Sequence, residues 1–164
     1  MRTMNYTWEE ILVLETAIDD MNPEFYPYLI EKLLAEGALD AYLQPIIMKK
    51  GRPGVMLTVL ARKENRDVIM TEIFKETSTL GVRVRAENRA CLPRGFLTVT
   101  TEYGPVRVKI AYAGNGETPA RFSPEFEDCR ARALERGVPI REVYNAALLA
   151  AEKTKEKENG SDIQ

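Results

Sequence analysis

Two apolar runs on either side of a short segment rich in glycine and proline constrain this fold more than any other feature. Residues 43–48 (LQPIIM) and 55–60 (VMLTVL) have the composition of strands, and MKKGRPG (48–54) overlaps and joins them as a turn. The sequence therefore predicts a β-hairpin. Its tip carries three cations, Lys49, Lys50 and Arg52.

The cations at this tip have two interpretations. Ammonium, guanidinium and backbone N–H groups together can bind phosphate oxygens. Lys and Arg are also common in solvated turns, because turns favour polar residues. The chain as a whole is slightly acidic, with 23 basic and 25 acidic residues, so a general nucleic-acid binder with a basic face is disfavoured.

The segments around the hairpin follow the order of a ferredoxin-like domain. Residues 11–18 (ILVLETAI) predict a central strand, and Asn22 before Pro23 predicts a helix that ends at Gly37. Residues 63–77 predict a second amphipathic helix, and 80–90 a half-buried strand. Inward positions of these last two segments are Ile69, Met70, Ile73, Phe74, Val82, Val84 and Ala86. The order β-α-β-β-α-β is the ferredoxin-like plan.

A second group of elements follows this domain. Residues 96–112 predict a hairpin around Tyr103-Gly104-Pro105, and 113–122 a mobile loop. Ser123-Pro124-Glu125 starts a helix that ends at Gly137, and Pro139 starts another, which frays into disorder from 152 onward. We therefore expect an α+β chain with a ferredoxin-like domain at 9–92, a β-hairpin plus two-helix appendage at 93–158 and a disordered tail at 159–164.

The composition excludes several kinds of site. With no histidine and only Cys91 and Cys129, the chain lacks an imidazole-based triad and the ligands of an ordinary zinc centre. Any metal should be a hard ion such as Mg²⁺ or Mn²⁺. No P-loop or Rossmann motif, no membrane-length apolar run and no secretory signal occurs. We expect a cytoplasmic protein with reduced thiols.

Three carboxylates lie at the end of the first predicted strand. Glu15, Asp19 and Asp20 belong to ETAIDDMNPE (15–24), directly before the first helix. Adjacent carboxylates at such a junction can hold a hard cation. They can equally cap the helix and complement its dipole, and the sequence leaves both interpretations open.

A second polar constellation lies in ETSTLGVRVR (76–85). Thr77, Ser78 and Thr79 offer hydroxyl and N–H groups, and Arg83 and Arg85 follow on one strand face. Arg89 and Arg94 extend this basic stripe. The planar guanidinium suits bidentate phosphate contacts, although charged strand residues also deter edge pairing.

The carboxylates Glu125, Glu127 and Asp128 crowd the first turn of a later helix, where they favour its amino terminus. Cys129 follows them and is expected to be a small buried residue. A catalytic role is disfavoured, because no histidine is present to activate the thiol.

Four segments, in this order, carry a resemblance to a known family. They are ETAIDDMNPE (15–24), LLAEGALDAYLQPIIMKKGRPG (33–54), ETSTLGVRVR (76–85) and SPEFEDCRARALERGVPIREVY (123–144). Together they resemble the C-terminal domain of the nickel insertion proteins called LarC, and the resemblance covers roughly 11–150. Where the family pattern has MKKNRPG this chain has Gly51, and Ser123 stands where the family has Lys.

The resemblance implies a chemistry. Members of the family are pyridinium-3,5-bisthiocarboxylic acid mononucleotide nickel chelatases of the lyase class, which make the nickel-pincer cofactor of lactate racemase. The implied reaction is CTP-dependent: Ni²⁺ is inserted between two thiocarboxylate sulfurs and a pyridinium carbon, and CTP is hydrolysed with Mn²⁺ or Mg²⁺. Family members are longer, with an N-terminal part that this chain lacks. Catalytic residues are not assigned.

Taken together, the sequence predicts a CTP-binding domain of a nickel chelatase. The nucleotide-binding candidates are Lys49, Lys50, Arg52, Thr77, Ser78, Thr79, Arg83 and Arg85, and the metal candidates are Asp19, Asp20 and Glu15. Expected partners are the nucleotide, the pincer precursor, the N-terminal part of the same protein and further copies in a homo-oligomer, with no nucleic acid and no membrane.

Two alternatives remain. One is a non-enzymatic ferredoxin-like module for small-ligand binding and oligomerisation, which CTP turnover would distinguish. The other is an RNA-binding ferredoxin-like domain, which would need exposed aromatic side chains on its sheet face, and residues 80–90 contain none.

Overall fold

The computed structural model describes residues 6–113 and 118–160, which form seven strands, four α-helices and three short 3₁₀ turns. The strands are β1 (Thr7–Ile18), β2 (Asp40–Ile47), β3 (Pro53–Ala61), β4 (Arg83–Cys91), β5 (Arg94–Thr101), β6 (Gly104–Ala113) and β7 (Thr118–Pro124). The helices are α1 (Tyr26–Ala35), α2 (Arg66–Glu76), α3 (Phe126–Arg136) and α4 (Ile140–Gly160). The elements form two units, one of Trp8–Arg89 and one that includes Thr7 and runs from Ala90 onward.

The first unit has the predicted ferredoxin-like plan. Its four strands lie in the order β2-β3-β1-β4, which puts the apolar β1 in the interior of the sheet. Alternate residues of β1 and β3, such as Leu14 and Leu57, pack with Leu29 of α1 and Ile69 of α2 in one buried core. Asn22 caps a 3₁₀ turn, Pro23–Phe25, that leads directly into α1; its Oδ1 accepts from the Glu24 N–H at 3.1 Å. The predicted ferredoxin-like order of elements is therefore confirmed.

Two details of the first unit differ from the prediction. Phe74 is 45% exposed, although its spacing placed it inward. Glu72 is buried instead, because Lys32 of α1 and Lys75 approach its carboxylate at 2.8 and 3.0 Å and compensate its charge.

The last strand of this sheet also differs from the prediction. Residues 83–88 of β4 are exposed on both faces, so the expected burial of Val84 and Ala86 is wrong. β4 is the terminal strand of the order that the described residues form, so within 6–113 and 118–160 it has a neighbouring strand in this sheet on one side only.

The second unit contains the sheet β5-β6-β7 and the helices α3 and α4. Val106 and Val108 of β6 pack with Cys129 of α3 and with Val143 and Ala147 of α4 in a second buried core. The predicted hairpin is present, with Thr101 opposite Gly104 and a two-residue turn that begins one residue earlier than expected.

The connection after this hairpin was predicted incorrectly. Residues 118–124 form β7 rather than a mobile loop, and they pair antiparallel with β6; residues 114–117 lie outside the described part. Consequently α3 begins at Phe126, three residues after Ser123. Helix α4 extends to Gly160, beyond the residue at which fraying was predicted to begin, and its Glu- and Lys-rich end has a composition that favours helix. Residues 161–164 lie outside the description.

No helix among the described residues combines the length and the apolar character needed to cross a membrane.

Asp128 joins α3 to the neighbouring sheet of the second unit. Its carboxylate accepts from Nε and Nη2 of Arg107, each at 2.8 Å, and from the Arg107 backbone N–H at 2.9 Å. These hydrogen bonds lower the pKa of Asp128 to about 2. The predicted role in complementing the helix dipole is therefore accompanied by a specific tertiary contact.

We expect Asp128→Asn to lower the free energy of unfolding by about 1–2 kcal/mol near neutral pH, since charge-assisted hydrogen bonds are lost. A carboxylate with a depressed folded-state pKa stabilises above its unfolded pKa of about 4, and this stability is lost as the pH falls toward 2. Denaturant unfolding should therefore give similar stabilities for variant and wild type at about pH 2. The matched control is Glu127→Gln, whose carboxylate is exposed; an equal loss there would contradict the assignment.

Candidate functional site

The end of β1 meets the tip of the β2–β3 hairpin. The antiparallel register places Ile18, the last residue of β1, opposite Val55 at the start of β3. Asp19 and Asp20, which follow Ile18, therefore lie beside the tip. We call Asp19, Asp20, Lys49, Lys50, Arg52 and Ser78 the strand-end cluster.

The hairpin tip has a closed backbone geometry. The Met48 N–H donates to the Arg52 carbonyl at 2.7 Å, and Lys50 and Gly51 between them have positive φ of 61° and 70°. Glycine and asparagine both tolerate this left-handed conformation, so Gly51 suits the position that the resemblance assigns to Asn. At Gly54 a Cβ would lie 2.6 Å from Met48 Sδ and 2.8 Å from the Ile18 carbonyl, which requires glycine there.

Of the three tip cations, Arg52 has a partner. Its Nη1 lies 3.3 Å from Oδ2 of Asp19, in a pair whose side chains are 60% and 23% exposed respectively. Lys49 and Lys50 are exposed, and neither side chain has an ion-pair or hydrogen-bond partner in the part of the chain that the structure describes. Two ammonium groups at the tip are therefore available to an anionic ligand.

Asp20 binds a different element from Asp19. Its Oδ1 accepts a hydrogen bond from the hydroxyl of Ser78, in the loop between α2 and β4. Asp19 therefore contacts the hairpin tip and Asp20 contacts the α2–β4 loop, both at the end of β1.

A threonine of β1 also holds the α2–β4 loop in place through hydrogen bonds. The buried hydroxyl of Thr16 lies 2.5 Å from the Thr79 hydroxyl and donates to the Gly81 carbonyl at 3.0 Å. Thr77 instead donates to the Ile73 carbonyl at 2.7 Å, at the end of α2. Of the three predicted loop hydroxyls, Ser78 thus joins the strand-end cluster, while Thr77 and Thr79 fix the backbone.

The predicted arginines of β4 lie along β1. Arg85 contacts Glu15 at 2.8 Å and Glu87 at 2.7 Å, while Arg83 lies 3.9 Å from Glu15. The hydrogen bond from Arg85 holds the pKa of Glu15 below its usual value. Glu15 is thus occupied by guanidinium groups rather than grouped with the two aspartates.

The outer arginines of the predicted stripe, Arg89 and Arg94, belong to different units. Arg89 pairs with Glu9 at 2.6 Å. Arg94 opens β5 in the second unit. The stripe is therefore not one continuous surface of a single sheet.

The carboxylates suit a metal only in combination with a ligand. Among the described residues, no three Asp, Glu, Cys or His side chains converge as a protein-only metal site requires. Asp19 could supply a hard oxygen ligand, with phosphate oxygens and water completing the coordination, which is the usual arrangement for magnesium bound with a nucleotide.

The remaining acidic candidates belong to the second unit. Glu125 precedes α3 and lies 3.5 Å from Lys109, and Asp128 binds Arg107. Cys129 is fully buried, and burial raises the pKa of its thiol, so a nucleophilic role is disfavoured.

One residue with a structural role in the site was not selected from the sequence. The Thr16 hydroxyl fixes the α2–β4 loop, and its signal is a polar residue inside an apolar strand. Gly54 was expected only to tighten the turn, and in the structure it also permits close approach of the tip to β1.

The chain matches a known protein family over most of its length. The family model described as "Nickel insertion protein" matches residues 1–144. The pyridinium-3,5-bisthiocarboxylic acid mononucleotide nickel insertion protein of Acetivibrio thermocellus is 44% identical over 151 residues, which are 90% of this chain and 36% of the relative. The protein of the same name from Thermotoga petrophila is 44% identical over 138 residues, covering 84% and 34%. The chain thus spans about a third of the length of these relatives.

Solved structures show the same relationship. The apo form of LarC2, the C-terminal domain of a cyclometallase involved in the synthesis of the NPN cofactor of lactate racemase, superposes with a TM-score of 0.77 at 39% identity. The match covers 89% of this chain and 99% of that one. A protein of Methanopyrus kandleri gives a TM-score of 0.65 at 29% identity, covering 92% of both chains. From the family model, the relatives and the shared fold together, this chain belongs to the nickel insertion protein family.

Proposed function

We propose that this chain is the CTP-binding part of a nickel chelatase that makes the nickel-pincer cofactor. The observation that carries the proposal is the hairpin tip, where Lys49 and Lys50 present ammonium groups without partners among the described residues. Arg52 adds a guanidinium that can make two parallel hydrogen bonds to phosphate. Such an arrangement suits the triphosphate of a nucleotide.

The strand-end cluster supplies the other groups that a nucleotide needs. The Ser78 hydroxyl, now bound to Asp20, can exchange that partner for a phosphate oxygen. A Mn²⁺ or Mg²⁺ ion bound with the triphosphate would neutralise phosphate charge, with Asp19 or Asp20 as its protein ligand. Arg83 and Arg85 are additional candidates for the nucleotide, although each lies near Glu15.

Nickel is a substrate metal in this proposal. The soft ligands that nickel favours would be the two thiocarboxylate sulfurs of the pincer precursor, because the described residues provide no cluster of protein ligands. We further propose that the chain works in the cytoplasm, as part of a homo-oligomer and together with the N-terminal part found in longer relatives. In the whole protein this domain would orient the precursor and activate it with CTP, and the nickel insertion itself would be the chelatase reaction of a lyase.

The proposal is tested by CTP binding to the chain alone. Isothermal titration calorimetry with Mn²⁺ should detect CTP binding, and excess chelator should weaken it at least about tenfold, because the triphosphate then meets the carboxylates without a cation. The gain on adding Mn²⁺ should be smaller in Asp19→Asn and in Asp20→Asn. Equal CTP affinity with Mn²⁺ and with chelator would show that the divalent ion has no role.

Turnover distinguishes the proposed enzyme from a binding module. A longer protein that contains this domain should consume CTP only when precursor and Ni²⁺ are both present. Binding without turnover in that complete system would favour the non-enzymatic alternative.

A further inference from the structure

In the free protein Asp19 already pairs with Arg52, which is one of the three tip cations. The Arg52 guanidinium lies 3.3 Å from the Asp19 carboxylate, whose side chain is 23% exposed. The other two carboxylates that the sequence predicts as metal ligands have partners of their own: Asp20 accepts from Ser78, and Glu15 pairs with Arg85. Asp19 is therefore the carboxylate that competes with a ligand for Arg52.

We propose that Asp19 is a specificity-determining residue that selects metal-bound polyphosphates over metal-free ones. This inference rests on the proposed function, because it concerns the same phosphate-binding tip. A metal-free polyphosphate that takes Arg52 leaves Asp19 unpaired beside several negative charges. A polyphosphate carrying a divalent ion instead brings a cation for the released carboxylate.

The selection arises from an exchange of partners. In the free protein Asp19 pairs with Arg52, and in the complex Arg52 pairs with phosphate while Asp19 faces the divalent ion. Both charges remain compensated only if the ion is present. Because the pair is partly exposed, its effect is moderate, and selection results from the penalty on metal-free anions rather than from tighter binding of the metal-bound form.

Asp19→Asn should raise the affinity for a metal-free polyphosphate without raising the affinity for a metal-bound one. Removing the carboxylate frees Arg52 and removes the repulsion, so affinity for metal-free inorganic triphosphate in excess chelator should rise about fivefold. Affinity for CTP with Mn²⁺ should not rise in the same variant. Calorimetry with inorganic triphosphate and with CTP, each with chelator and with Mn²⁺, measures both values.

Two controls separate the ion pair from general charge effects. Glu24→Gln removes one negative charge from the neighbouring turn without touching Arg52, and it should change triphosphate affinity by less than about twofold. In an Arg52→Gln background, Asp19→Asn should have no more effect than Glu24→Gln, because the competition no longer exists.

The possible results distinguish failure of the Asp19 selectivity from failure of the proposed CTP binding. If wild type binds CTP with Mn²⁺ but Asp19→Asn binds metal-free triphosphate no better, the inference is overturned and the proposed function survives. An equal gain in Glu24→Gln, or an undiminished gain in the Arg52→Gln background, also overturns it. If wild type binds CTP under neither condition, the proposed function fails and the inference fails with it.

Discussion

CTP affinity should fall about a hundredfold when Lys50 and Arg52 are both replaced by alanine, and about tenfold for each single replacement. Each side chain would lose a charge-assisted contact worth roughly 1.5–3 kcal/mol, and the losses add if the two contact different phosphate oxygens. Both side chains are exposed in the free protein, so its melting temperature should change little. Calorimetry in Mn²⁺ gives the affinity, and thermal unfolding gives the stability.

The same hairpin strand offers a matched control at its other end. Arg62 and Lys63 are exposed directly after β3, so the double alanine variant there removes the same two charges far from the tip. That variant should bind CTP like wild type. Unaltered CTP affinity in the Lys50 and Arg52 variants, or an equal loss in the control, would contradict a phosphate-binding tip.

Nickel insertion by this chain alone should be weak or absent, even where CTP binds. The chain has no histidine, Cys129 is buried and no cluster of metal ligands occurs among the described residues. Addition of the N-terminal part from a longer relative, in trans or fused, should restore insertion. The measurement is formation of the nickel-pincer chromophore from the bisthiocarboxylate mononucleotide, Ni²⁺, CTP and Mn²⁺.

The control in this experiment is CTP binding by the same preparation, which shows that a negative result does not come from misfolding. Insertion by the chain alone at the rate of a full-length relative would contradict the prediction. Nickel would then pass directly from solution to the precursor sulfurs, and the protein would contribute orientation and activation.

The ferredoxin-like half was predictable because local signals and the global plan agree there. The apolar run of β1, the Asn22-Pro23 helix start and the glycine-rich tip each specify one element, and all were found. Strand β7 was missed because the Gly, Asn and Pro residues of 113–122 predicted a loop, and Ser123-Pro124-Glu125 predicted the start of a helix. Proline is compatible with an edge strand, where one side of the backbone has no neighbouring strand.

The sequence identified the charged residues of the candidate site but not which residues pair with each other. Sequence spacing identified Asp19, Asp20 and the tip cations, yet treated the adjacent aspartates as one metal-binding pair. The structure gives them separate partners, Arg52 and Ser78, which are 33 and 58 residues away along the chain. Such long-range contacts depend on strand register, which no local motif encodes.

The backbone of Lys50 has a positive φ, and this conformation reduces the stability of the fold. A side chain other than glycine, asparagine or aspartate at a φ of 61° is disfavoured by roughly 1 kcal/mol, because its Cβ crowds the neighbouring carbonyl. Glycine at this position would relax the turn but remove an ammonium group. Sequence optimisation for thermostability would therefore tend to replace Lys50, to which we assign a role in phosphate binding. A thermostabilised variant of this domain should keep Lys50 unchanged.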